Sequence, residues 1–146
     1  MTPPPQRTRI KICGLTREAD VDAAVLAGAD AIGLVFYPSS PRYVSVERAV
    51  VLARRLPPFV TPVGLFVNAE AAQVREACHA IPSLLLQFHG DETPEDCEAH
   101  GRPYLRAARM APGFDLLHFA QRFATAQGLL LDAHVEGYGG GGKVFD

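Results

Sequence analysis

Short apolar runs alternate with amphipathic stretches along the whole chain. "RIKIC" (Arg9–Cys13), "AIGLVF" (Ala31–Phe36), "TPVGLFV" (Thr61–Val67), "LLLQFHG" (Leu84–Gly90), "PYLRAARM" (Pro103–Met110) and "GLLLDA" (Gly128–Ala133) read as strands. Helical spacing fills the gaps. In "READVDAAVLAG" (Arg17–Gly28), Val21, Ala24, Val25 and Ala27 form the expected buried stripe, and Gly28 stands where a C-terminal cap belongs. Ser45 is placed to cap "VERAVVLARRL", Asn68 to cap "AEAAQVREACHA", and Thr93 to cap a helix that opens on Pro94. "FDLLHFAQRFA" is the last predicted helix.

Six strands alternating with five helices, spaced by roughly 20–25 residues, imply right-handed crossovers and a parallel sheet. The strands are almost continuously apolar, as expected when both faces are covered. A doubly wound sheet and a (β/α)8 barrel both fit. No GxGxxG or P-loop follows the first strand, which weakens the dinucleotide-binding version. Side-chain parity separates them further. Lys11 shares a face with Cys13, Gln87 with His89, and Leu130 with Asp132. Each face turns polar at the strand's C-terminal end, as a barrel lumen does at its active-site mouth.

Composition narrows the partners. The chain has 146 residues and a formal charge of −2, which suits one domain without a basic face for nucleic acid. No apolar stretch approaches the roughly 20 residues that span a bilayer, so no membrane partner is expected. The opening "MTPPPQRTR" lacks an apolar signal region; residues 1–8 read as a disordered tail and 9–146 as the domain. Cys13, Cys78 and Cys97 form neither a disulfide framework nor a CxxC zinc pattern. A reducing cytoplasm is the expected compartment.

Several polar residues stand at strand ends. Cys13 is followed by Gly14 in a tight turn; it is a candidate nucleophile or base, or a small buried residue. Arg42, on the proline-stiffened loop "YPSSPR", can grip a carboxylate or phosphate, or remain solvated. Gln87 and His89 point toward the lumen, His89 as a base or as a hydrogen-bonded structural residue. Asp91 and Glu92 are expected to face solvent at a helix start. Asp132 ends an otherwise apolar strand, as a site acid or as an ion-pair partner of Lys11. Gly139–Gly142 follow, and Gly140 and Gly141 allow close backbone approach to a ligand.

Taken together, "KICGLT", "GADAIGLVFYPSSPRYV", "PVGLFVN", "LQFHGDE" and "LLLDA…GYGGGGKVFD" resemble the phosphoribosylanthranilate isomerase family of tryptophan biosynthesis, from about Arg9 to Asp146. The resemblance implies a (β/α)8 TIM barrel that works without cofactor or metal. It implies an aldose–ketose isomerase that converts N-(5′-phosphoribosyl)anthranilate to 1-(2-carboxyphenylamino)-1-deoxyribulose 5-phosphate. On the matching positions, Cys13 is the general base, Asp132 the general acid and Arg42 the clamp on the anthranilate carboxylate.

The six strands fall short of the eight that the resemblance implies. The expectation is an incomplete barrel, lacking strands seven and eight and the loops that hold the substrate phosphate. Strands one and six become exposed edges prone to self-association. A fragment of a longer chain, a true truncation, and a silent partial barrel that acts only with a complementary chain all fit. Another phosphosugar barrel enzyme is a further alternative, disfavoured by the pairing of Cys13 with Asp132.

Overall fold

A computed structural model describes residues 6–136, 138 and 141–145. Strands β1 (Lys11–Cys13), β2 (Ala31–Val35), β3 (Thr61–Phe66), β4 (Leu85–Phe88), β5 (Tyr104–Met110) and β6 (Gly128–Ala133) alternate with helices α1 (Glu18–Leu26), α2 (Val46–Ala53), α3 (Ala71–Ala80), α4 (Pro94–Glu98) and α5 (Leu116–Arg122). All neighbouring strands pair in parallel, in the order β1 to β6. A doubly wound sheet reverses its strand order at a switch point. This sheet never reverses, so it has barrel topology: six strands and five helices of a (β/α) barrel.

The period of two sorts the side chains. Ile32, Leu34, Phe66, Leu86, Phe88 and Tyr104 turn toward the helices and join Val21, Ala24, Ala49, Leu52, Val74, Ala77 and Cys97 in the main core. Aromatic rings run across this face: Phe36 stacks on Phe66 at 5.1 Å, and Phe88 meets Tyr104 edge-on at 5.9 Å. The opposite parity carries Cys13, Gly33, Val63 and Leu85 in one register row. Val35, Leu65, Gln87 and Leu105 form the next row.

Local chemistry explains most boundaries. Ser45 accepts from Arg48 N, and Thr93 and Asp96 form a reciprocal cap ahead of Pro94. Gly28 takes a positive φ just beyond α1. Three expectations need correction. Ala27 is exposed rather than part of the buried stripe, because it already caps α1 as the chain turns away. Asn68 does not cap α3; Glu70 does, its N–H donating to Gln73 Oε1 at 3.1 Å. At the amino end, residues 6–10 are exposed, yet Arg7 donates to both carboxylate oxygens of Asp30. Met1–Pro5 of the expected tail lie outside the described residues.

Candidate active site

A cavity of about 260 Å³ opens among the C-terminal ends of the strands. Lys11 and Cys13 reach it from β1, Gln87 and His89 from β4, and Leu130 and Asp132 from β6. Arg42 and Tyr37 enter from the loop after β2, and Tyr138 from the loop after β6. Five of the seven site residues expected from sequence therefore line one space. Gly141 packs against Val135 and is not among the lining residues. Gly140 lies outside the described residues.

Glycines make the Cys13 side of the cavity possible. Gly33 stands opposite Cys13 in the ladder, and a Cβ there would come within 2.5 Å of the sulfur. Gly14 has φ of +83°, and a Cβ on it would meet the Arg42 guanidinium at 2.3 Å. Arg42 thus lies flat over the turn that follows Cys13, with Nη1 donating to Cys13 O at 3.1 Å. One guanidinium nitrogen tethers Arg42 to the strand end that carries the thiol.

The Asp132 side is built around a histidine. His89 is 6% exposed; its Nε2 lies 3.0 Å from Asp132 Oδ2, and its Nδ1 lies 3.2 Å from Gln87 Nε2. Burial pushes the imidazole below its ordinary range, and the Asp132 carboxylate opposes that push. Asp132 pairs with His89; the salt bridges among the described residues do not join it to Lys11.

Glu92 corrects another expectation. It is 7% exposed, not solvent-facing. Its carboxylate accepts from Gly90 N and Asn68 N, both at 2.7 Å. Arg106 on β5, 4% exposed, lies 3.8 Å from it and donates to the carbonyls of Phe88, Gly90 and Glu92. A buried charge needs this company. The pair fixes the backbone on both sides of His89. Asp91 is exposed as expected; it accepts from Tyr138 Oη at 2.6 Å and from Arg109, and these donors lower its carboxyl.

Sequence reasoning missed Gly33, Tyr37, Leu65, Glu92, Arg106 and Tyr138. Gly33 did carry a signal, since glycine inside a strand marks a close approach. Arg106 carried one too, as a charge sharing parity with core residues Tyr104 and Ala108.

A cavity at the C-terminal strand ends, edged by charged and polar side chains, stands where (β/α) barrels carry their sites. The chain belongs to the N-(5′-phosphoribosyl)anthranilate isomerase family, whose model matches residues 10–146. It is 77% identical over 142 residues to N-(5′-phosphoribosyl)anthranilate isomerase of Leptothrix cholodnii, covering 97% of this chain and 64% of that one. It is also 77% identical to the Methylibium petroleiphilum protein of the same name, covering 96% and 66%. The chain thus spans just under two thirds of these relatives. Among solved structures, the Thermotoga maritima phosphoribosyl anthranilate isomerase superposes with a TM-score of 0.82 at 37% identity, covering 96% of this chain and 68% of that one. A further isomerase structure, in complex with reduced 1-(o-carboxyphenylamino)-1-deoxyribulose 5-phosphate, matches with a TM-score of 0.75 at 34% identity over 88% and 66%.

Proposed function

We propose that this chain carries the acid–base site of an aldose–ketose isomerase. The substrate is N-(5′-phosphoribosyl)anthranilate and the product 1-(2-carboxyphenylamino)-1-deoxyribulose 5-phosphate. The observation that carries the reading is the convergence of Cys13, Arg42, His89 and Asp132 on one cavity. The product-like ligand of a 34% identical relative supports the same substrate class.

The reaction asks the protein for proton transfers alone. Asp132 delivers one to the furanose ring oxygen, the C1′–O bond breaks, and nitrogen's lone pair forms the iminium. Cys13 then takes the proton from C2′, leaving an enolamine that tautomerises to the ketone. Arg42 orients the anthranilate carboxylate, its planar fork matching two oxygens. Gln87 and His89 complete the wall that receives the ligand, and Gly140 and Gly141 are proposed as further contacts to it. Asp132 uses Oδ2 toward His89, which leaves Oδ1 for the ring oxygen.

The cytoplasm is the compartment this reading carries. Among the described residues β1 and β6 each pair on one side only. Association of copies through these edges is the matching proposal, checked by sedimentation velocity.

The test is turnover of the substrate, followed as loss of anthranilate fluorescence, by the chain alone and with the remaining βα units of the Leptothrix relative added. Turnover in either condition that falls about 10²–10⁴-fold in Cys13→Ala and in Asp132→Ala supports the reading. Turnover indifferent to both changes, or none in either condition, overturns it.

A further inference from the structure

Gln87 is nearly fully buried, and its Oε1 has no hydrogen-bond partner among the described residues. A buried amide that leaves one end unused calls for a reason. Its other end, Nε2, faces His89 Nδ1 at 3.2 Å, and His89 Nε2 faces Asp132 Oδ2 at 3.0 Å. The three residues form a line in which each contact depends on where the protons are.

With no extra proton, Asp132 is an acceptor, so His89 Nε2–H donates to it. Nδ1 is then bare and accepts from the Gln87 amide, whose Nε2 faces it. One added proton held between Asp132 Oδ2 and His89 Nε2 reverses the inner contact, whereas one held on Oδ1 leaves it as it was. If the shared proton settles on Oδ2, Asp132 donates to Nε2 and the imidazole carries its hydrogen on Nδ1. If it settles on the ring, both nitrogens carry hydrogen. Either way a buried Nδ1–H faces Gln87 and needs an acceptor. The amide supplies one by turning over and presenting the unused Oε1.

We propose that Gln87 is a positioning residue whose amide turns with the uptake of one proton by the His89–Asp132 pair, so that the pair is satisfied both empty and loaded. A side chain with a donor at one end and an acceptor at the other serves both states; glutamate would serve only the loaded state, and methionine neither. The link to turnover rests on the acid role proposed above for Asp132, the neighbour of His89 in this line. The coupling itself does not rest on that role.

Other charges reach this region. Arg106 and Glu92 lie behind His89, lowering and raising its proton affinity respectively. Lys11, Cys13, Arg42 and Tyr138 line the same cavity. All are unchanged in Gln87 variants, so a difference between variants reports the amide.

The experiment is an NMR titration of the ¹⁵N-labelled full chain, with His89 assigned by its loss in His89→Gln and the Gln87 amide by its loss in Gln87→Met. The expected result is that Nδ1 becomes protonated and the Gln87 side-chain amide signals move at one common midpoint. Gln87→Met, which strands a buried N–H, lowers that midpoint by about one pH unit or more. Gln87→Glu raises it by a similar amount. Opposite shifts are the signature, because a merely structural role moves both variants alike. Static Gln87 signals, shifts of the same sign, or a pair that takes up no proton before the chain unfolds each overturn the proposal. Should Gln87→Glu fail to fold, the common midpoint in the unaltered chain decides. In turnover assays, the acid limb of kcat against pH follows the NMR midpoint. Coupled NMR transitions without turnover in any condition sink the isomerase reading and leave this one standing.

Discussion

Gly33 faces Cys13 across the first rung of the sheet, and the space of a single missing Cβ is what the thiol occupies. The added carbon would meet the sulfur at 2.5 Å and the Cys13 Cα at 3.0 Å. Gly33→Ala is expected to cost about 1–3 kcal/mol through overpacking, read from the urea midpoint. Pairing it with Cys13→Ala removes the sulfur and recovers part of that loss. Additive effects in the double-mutant cycle would refute the contact.

Two of the three thiols, Cys13 and Cys97, should separate cleanly. Cys97 is fully buried, and burial pushes it up to about 12, which leaves about one thiolate in ten thousand at pH 8. Cys13 opens onto the cavity. Native alkylation followed by peptide mass spectrometry should modify Cys13 and leave Cys97 untouched until denaturant is added. Modification of Cys97 in the folded chain would contradict its burial.

Glu92 and Arg106 form a buried pair whose halves do not survive alone. Glu92→Ala is expected to destabilise by about 3–5 kcal/mol, because it leaves the guanidinium uncompensated. The double replacement Glu92→Leu with Arg106→Met should be far milder than the sum of the single ones. A mild single variant would mean that the carbonyls around Arg106 suffice to hold the charge.

His89 gives stability a pH dependence of defined sign. Burial lowers its proton affinity in the folded chain, so the unfolded chain binds more protons as pH falls. Its contribution is complete above about pH 6.5 and is lost below that, toward the folded value. His89→Gln should flatten the slope of urea stability between about pH 5 and 7. His100, also lowered by burial, is present in both chains and cancels. An unchanged slope would count against a neutral buried imidazole.

Arg48 does comparable work near the first loop. It donates to both oxygens of Glu18 and to Thr16 O, and the Glu18 carboxyl falls to about 2, chiefly through that hydrogen bonding. Stability from Glu18 is present above its unfolded value near 4.3 and is lost as pH falls toward 2. Arg48→Met should therefore shift acid unfolding, followed by far-UV circular dichroism, to higher pH. Coincident acid transitions in the two chains would rule the contribution out.

The strand pattern and its parity were legible because a period of two needs no partner information. Lys11 and Cys13, Gln87 and His89, and Leu130 and Asp132 all fell on the cavity side as the alternation requires. Glu92 was illegible for the opposite reason. An acid at a helix start is usually solvated, and only the arrival of Arg106 from the next strand makes its burial tolerable. Asn68 misled in the same way. Its φ of 50° and its side-chain bonds to Asp91 N and Tyr138 Oη join three separate segments, which no local pattern announces. Cys13 and Asp132 were visible singly, while the histidine and amide line that ends on Asp132 belonged to the fold.

Every strand pairs with the one that precedes it. Such a sheet can grow one βα unit at a time, each new strand docking on a template already made, so the ordered core accumulates through contacts that are short in sequence. The proposed base and acid sit on β1 and β6, which do not pair with each other among the described residues. Chemistry therefore reports on the whole curvature between them: a variant in β3 or β4 that merely flattens the sheet would leave a well-folded protein in which acid and base no longer address the same molecule.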